Sequence, residues 1–136
     1  MSPVALVTGA GSPDGIGFAT AKALGRDGMT VAIASTTGRI TERAGELGSM
    51  GYKAVGFVAD LTDDDQARRM VSDVARELGP ILVLVNNAGM VQVGSGGDDD
   101  APSFMELDHA SWQRSIARNL SSAFSVTQAV LPGMIE

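Results

Sequence analysis

Residues 4–17, Val-Ala-Leu-Val-Thr-Gly-Ala-Gly-Ser-Pro-Asp-Gly-Ile-Gly, constrain the fold more than any other stretch. An apolar run, Val4–Val7, ends at Thr8-Gly9. Three further glycines, Gly11, Gly15 and Gly17, then lead into residues 18–24, a segment of good helix formers. The order is strand, glycine loop, helix. Glycines let a backbone come close to a bulky anion, and a helix start offers unpaired N–H groups and the positive end of a dipole. The stretch therefore suits a diphosphate, although an ordinary strand-to-helix turn uses the same residues, and here both readings stand.

The remaining chain alternates strand and helix. The first helix is expected over Ile16–Arg26, closed by Gly25 and Gly28. Residues 29–34 read as a second strand with Ser35-Thr36-Thr37-Gly38 as its exit, and residues 39–47 as a second helix stopped by Gly48 and Gly51. A third strand over residues 54–59 ends at Asp60. Thr62, followed by three aspartates, is the expected cap of a third helix whose stripe is Val71, Val74, Ala75 and Leu78, ended by Gly79-Pro80. Ile81–Val85 is apolar at every position, which is the mark of a parallel strand covered on both faces. After Asn86-Asn87-Ala88-Gly89 comes the longest loop, residues 90–107. Its Asp98-Asp99-Asp100 reads as a solvated, flexible segment before a cation site. A last helix starts near Asp108, and Trp112, Ile116, Leu120 and Phe124 at helical spacing are its expected core residues.

This β-α-β-α-β-α-β-α order implies one α/β domain over residues 1–136, a Rossmann-type doubly wound parallel sheet with strand order 3-2-1-4. Ligands in such sheets sit beyond the carboxyl ends of the strands. Thr8-Gly9, Ser35-Thr36, Asp60 and Asn86-Asn87 all fall there, which turns the balance toward nucleotide binding. A net charge of −6 argues against broad contact with nucleic acid or an anionic membrane. With no cysteine, disulfides and thiolate metal sites are excluded, and His109, the lone histidine, gives a metal hydrolase little support, so no metal is expected. No run approaches a membrane span and no signal sequence precedes the first strand, so a cytoplasmic protein is expected.

At these residues the chain resembles the short-chain dehydrogenases/reductases, most closely the 3-oxoacyl-acyl-carrier-protein reductases. Thr8-Gly9 with Gly15-Ile16-Gly17 is similar to that family's glycine motif, Asp60-Leu61 to its adenine-pocket pair, Asn86-Asn87-Ala88-Gly89 to its fourth-strand signature, and Trp112 through Asn119-Leu120 to its helix carrying an active-site asparagine. The resemblance implies an oxidoreductase moving hydride between a nicotinamide dinucleotide and a carbonyl or alcohol. It places Gly9, Ser12, Gly15, Ile16 and Gly17 around the diphosphate, and Asp60 and Leu61 at the adenine. Asn87, Ala88 and Gly89 fall along the dinucleotide, and Asn119 in the catalytic proton relay near the packed face of its helix.

Cofactor preference turns on the end of the second strand, where NAD-using folds commonly carry Asp or Glu. Here Ser35, Thr36 and Thr37 stand with Arg39 just beyond, neutral hydroxyls and a guanidinium that suit a 2′-phosphate. NADP(H) is therefore expected over NAD(H), with Arg39 as a plain surface residue the competing account. Two departures from the family pattern matter. Pro13-Asp14 lengthens the glycine loop by two residues and brings a carboxylate toward the diphosphate. The family's Tyr-x-x-x-Lys pair is absent, since the single tyrosine, Tyr52, is followed directly by Lys53. The chain reads as a truncated cofactor-binding part, weakly binding and inactive alone. The fourth strand's edge is then open to association, as a homo-oligomer or with a missing C-terminal part. The alternative is a non-catalytic nucleotide-binding or regulatory module on the same fold.

Overall fold

The computed structural model describes residues 2–89 and 103–136. Most of the expected long loop, with Asp98-Asp99-Asp100, lies outside the described residues. The elements are β1 (Val4–Val7), α1 (Ile16–Arg26), β2 (Thr30–Ser35), α2 (Ile40–Ser49), β3 (Ala54–Val58), α3 (Asp64–Leu78), β4 (Ile81–Val85), α4 (His109–Ile116), a π turn (Ala117–Ser121) and α5 (Ser122–Ile135). All pairings are parallel and the order is β3-β2-β1-β4, the doubly wound arrangement. β2 and α2 each begin one residue later than the sequence pattern suggests.

Two apolar layers sandwich the sheet. Val7, Val31 and Ile33 point to one face and pack with Phe18 and Ala21 of α1 and Ile40 and Leu47 of α2. Val4, Leu6, Ala32 and Ala34 point to the other, against Ala67, Met70, Val71 and Val74 of α3 and Val126 and Val130 of α5. The alternation of side chains along a strand divides a continuous apolar run between two helical layers.

Four expectations need correction. Asp63, not Thr62, caps α3: its carboxylate accepts the Gln66 N–H at 3.2 Å, while the Thr62 hydroxyl turns back to donate to Asp60 at 2.6 Å. β4 is covered only in part: Ile81 and Leu84 pack on the α3 and α5 layer and Val85 on the other. Leu82 is 56% exposed, at the point where the register with β1 shifts from Val4–Ile81 to Ala5–Val83. The last helix is interrupted by its π turn, in which each turn holds an extra residue and the apolar stripe loses its phase. Trp112, Leu120 and Phe124 are exposed and Ile116 is half-buried, and within α5 the covered face is that of Ser122, Val126 and Val130. Among the described residues no helix is long and apolar enough to cross a membrane.

Candidate functional site

Parallel pairing brings the carboxyl ends of all four strands to one edge, and the crevice between β1 and β4 is where the strand order reverses. Thr8 closes its floor. The buried hydroxyl accepts the backbone N–H groups of Asn87 at 3.1 Å and Ala88 at 3.0 Å, and donates to Val85 O at 3.4 Å. Asn87 returns the bond by donating its side-chain amide to Gly9 O at 3.1 Å. Gly9 takes a left-handed φ of 68°, and a Cβ there would lie 2.8 Å from the Ala88 backbone. At Gly17 a Cβ would lie 2.5 Å from Asn87 Nδ2 and 2.8 Å from Gly9 O. These two glycines are therefore required by the protein's own packing before any ligand is considered.

The rest of the loop forms an open cradle at the start of α1. Gly15 is the N-cap and supplies no side-chain bond; its N–H donates to Ser12 O at 3.2 Å, and the first helical bond runs from Ala19 N–H to Gly15 O. The N–H groups of Ile16, Gly17 and Phe18 thus have no intrahelical acceptor, and the Ile16 side chain is 73% exposed. The nearest atoms to a Cβ on Gly15 would all be those of Ser12, and Ile16 beside it is exposed, so this donor set fits a diphosphate. Asp14 is exposed on the same loop.

At the end of β2, the Ser35 hydroxyl donates to Thr37 O at 2.9 Å and shapes the turn into α2, while Thr36 and Arg39 are exposed. After β3, one oxygen of Asp60 accepts both the N–H and the hydroxyl of Thr62, at 3.0 and 2.6 Å. Its other oxygen takes no hydrogen bond from the described residues, which leaves it an acceptor facing solvent. Leu61 is buried in the layer beneath α3. Beyond β4, Gly89 takes φ 144°, and a Cβ there would lie 2.7 Å from Asn119 Oδ1, so glycine lets the strand exit meet the π turn.

Asn119 lies in that π turn and is exposed, not at the packed face, because the covered side of the helix is that of Ser122, Val126 and Val130. Its amide donates to Ser115 O at 3.0 Å. The edge thus gathers Gly9, Gly17, Asn87 and Ala88 in direct contact, with Asn119 against Gly89. Ser35, Thr36, Arg39 and Asp60 stand along the rim beyond β2 and β3. Sequence reasoning placed Thr8, Asn86 and Gly11 at this edge but not their partners: the Asn87 and Ala88 N–H groups for Thr8, Thr127 for the Asn86 amide at 2.9 Å, and Arg39 for Gly11. Their partners lie far away in sequence, and no local pattern signals them. Tyr52 sits at the opposite end of the strands, just before β3, with its ring against Gly25 of α1.

Residues 3–136 match the sequence profile of the family described as short chain dehydrogenase. A nodulation protein G from Azospirillum brasilense is 38% identical over 136 residues, covering 98% of this chain and 51% of that protein. A 3-ketoacyl-ACP reductase from Sinorhizobium meliloti superposes with a TM-score of 0.84 at 38% identity, covering 97% of this chain and 49% of that one. A variant actinorhodin polyketide ketoreductase with NADPH superposes at 0.85 with 34% identity, covering 98% of this chain and 48% of that one. The chain spans about half the length of the curated relatives it matches.

Proposed function

The chain belongs to the short-chain dehydrogenase family, and from that premise we propose that it is the cofactor-binding portion of an oxidoreductase transferring hydride between NADP(H) and a carbonyl or alcohol. The observation that carries the reading is the open helix start of α1 meeting the Asn87–Gly89 turn at the strand-order reversal. In this reading the N–H groups at Ile16 and Gly17, with Ser12 beside them, hold the diphosphate. The free oxygen of Asp60 accepts from the adenine amino group, with the Leu61 backbone as the adjacent contact. Ala88 and Gly89 admit the ribose side of the ligand, and Arg39 with Thr36 faces a 2′-phosphate. The dinucleotide supplies the hydride. Asn119, held against Gly89, orients a water in the proton relay. NADPH beside the ketoreductase relative, and the lack of a carboxylate at Ser35–Thr37, support NADP(H) over NAD(H).

The proton donor is not Tyr52, which lies at the wrong end of the sheet. That position favours one second reading, a nucleotide-binding module without turnover of its own. The exposed apolar residues of α4 and α5 support a homo-oligomer, and a sequence without cysteine is in keeping with the cytoplasm. Titrating the chain with NADPH and NADH tests the proposal. Saturable binding with NADPH the tighter is expected. Absence of binding to both sinks the family function for this chain, and equal affinities sink the NADP preference alone. Hydride transfer to a carbonyl by the 136 residues themselves would contradict the reading as a cofactor-binding portion.

A further inference from the structure

Gly11 lies outside the residues given to the cofactor above, yet its surroundings are specific. A Cβ built there would lie 2.9 Å from Arg39 Nε, 3.0 Å from Ser35 Cβ and 3.1 Å from Ser35 Oγ. The residue is buried and its φ is not left-handed, so the backbone conformation does not call for glycine; the space does. Its neighbour Ala10 donates its N–H to Ala34 O at 3.0 Å, which pins the glycine loop to the end of β2. Ser35 is held in turn, its hydroxyl donating to Thr37 O at 2.9 Å and accepting the Thr37 N–H at 3.4 Å. Of the groups around Gly11, the long exposed side chain of Arg39 is the one free to give way.

We infer that Gly11 is a positioning residue for Arg39 and thereby sets the preference for a 2′-phosphorylated dinucleotide. The bare backbone at position 11 seats the arginine against the loop, close beside Ser35 at the end of β2. An arginine already seated gives up less rotamer freedom on gripping a phosphate than one loose in solvent. A methyl group at position 11 removes the seat while leaving the guanidinium in the protein. The inference rests on the NADP(H) reading, and the test separates the two.

Dissociation constants for NADPH and NADH are measured by fluorescence titration on the native chain, Gly11→Ala, Arg39→Met and the double variant. Arg39→Met is expected to abolish the NADPH preference. Gly11→Ala is expected to lower it up to about tenfold, the order of the ordering cost of one long side chain, while leaving NADH affinity unchanged. In the Arg39→Met background Gly11→Ala should then do nothing further. If the native chain does not prefer NADPH, the NADP(H) reading fails and takes this inference with it. If Arg39→Met abolishes the preference but Gly11→Ala leaves it intact, or weakens both cofactors equally, the positioning role alone is overturned. Should Gly11→Ala fail to fold, the Arg39 Nε–H resonance of the native chain decides. Slow, ordered relaxation supports the seat, and the averaged behaviour of free arginine overturns it.

Discussion

β1 and β4 are both short, apolar parallel strands, and they are buried very differently. Ala5, Leu6 and Val7 of β1 are 0% exposed, whereas Leu82 of β4 is 56% exposed, with Leu120 and Phe124 of the adjoining helix at 64% and 63%. β1 has a strand on each side and helices over both faces; β4 has β1 on one side only among the described residues. Apolar character supplies the drive to be covered, and neighbours supply the cover. The polar chemistry follows the same division. In the β1 crevice Gly9 and Gly17 lie against backbone and the Asn87 amide, while on the helix beyond β4, Asn119 bonds within its own helix and Leu120 and Phe124 face solvent.

The largest expected effect lies in the crevice. Gly9→Ala forces a side chain into a left-handed conformation and against the Ala88 backbone, and should lower unfolding stability by about 3 kcal/mol in urea titration. An unchanged midpoint would mean that the two strand ends are not packed as tightly as β1's burial requires.

A smaller and pH-dependent contrast compares the caps of α3 and α4. The Gln66 N–H and side chain hold the Asp63 carboxyl below its ordinary 3.8, and the Ser111 N–H and hydroxyl do the same for Asp108. A folded value below the unfolded one stabilises the protein above pH 3.8, and that contribution is lost as pH falls through the folded value. Asp63→Asn should flatten the acid limb of global stability, because α3 is packed on the sheet. Asp108→Asn should speed amide exchange in α4 near neutral pH and leave the global midpoint in place. Equal effects on the global midpoint would show that α4 unfolds with the sheet and remove the contrast.

The smallest expected effect belongs to the exposed face. Leu120→Ser should change the stability of a dilute, monomeric chain by less than about 0.5 kcal/mol, read by thermal unfolding. A larger, concentration-dependent loss, with a smaller sedimenting species in the variant, would show that the face is covered by another copy.

Much of this architecture was legible in the residues. The start of α1 follows from four glycines between an apolar run and a helical segment, and strand order follows from alternation of elements with short connections. The α3 cap was not legible to the residue. Thr62 and Asp63 are both good caps, and the choice falls to Gln66, which bonds Asp63 and also accepts the Asp60 N–H at 2.9 Å. Nor was the packed face of the last helix. Leu120 and Phe124 share the same i, i+4 spacing as Val126 and Val130, and only the second pair meets α3 and the sheet. At the candidate site the residue types were visible, but the division of labour among glycines was not. Gly9 and Gly17 fit the Asn87–Ala88 turn, Gly11 fits Arg39, and Gly15 meets only its own loop at Ser12 among its nearest atoms.

By itself the sequence determined the order of strands and helices, the edge at which chemistry gathers, and the neutral rim with one arginine that suits a phosphate. These follow from local periodicity, turn residues and charge, which act over a few neighbours along the chain. Only the tertiary structure decided that Thr8 bonds residues 79 and 80 positions away and that Tyr52 lies at the far end of the sheet. It also decided that Leu82 of β4 and one side of the last helix stay exposed. Hydrogen-bond partners and burial are properties of what is brought alongside a residue, and distance along the chain carries no record of that.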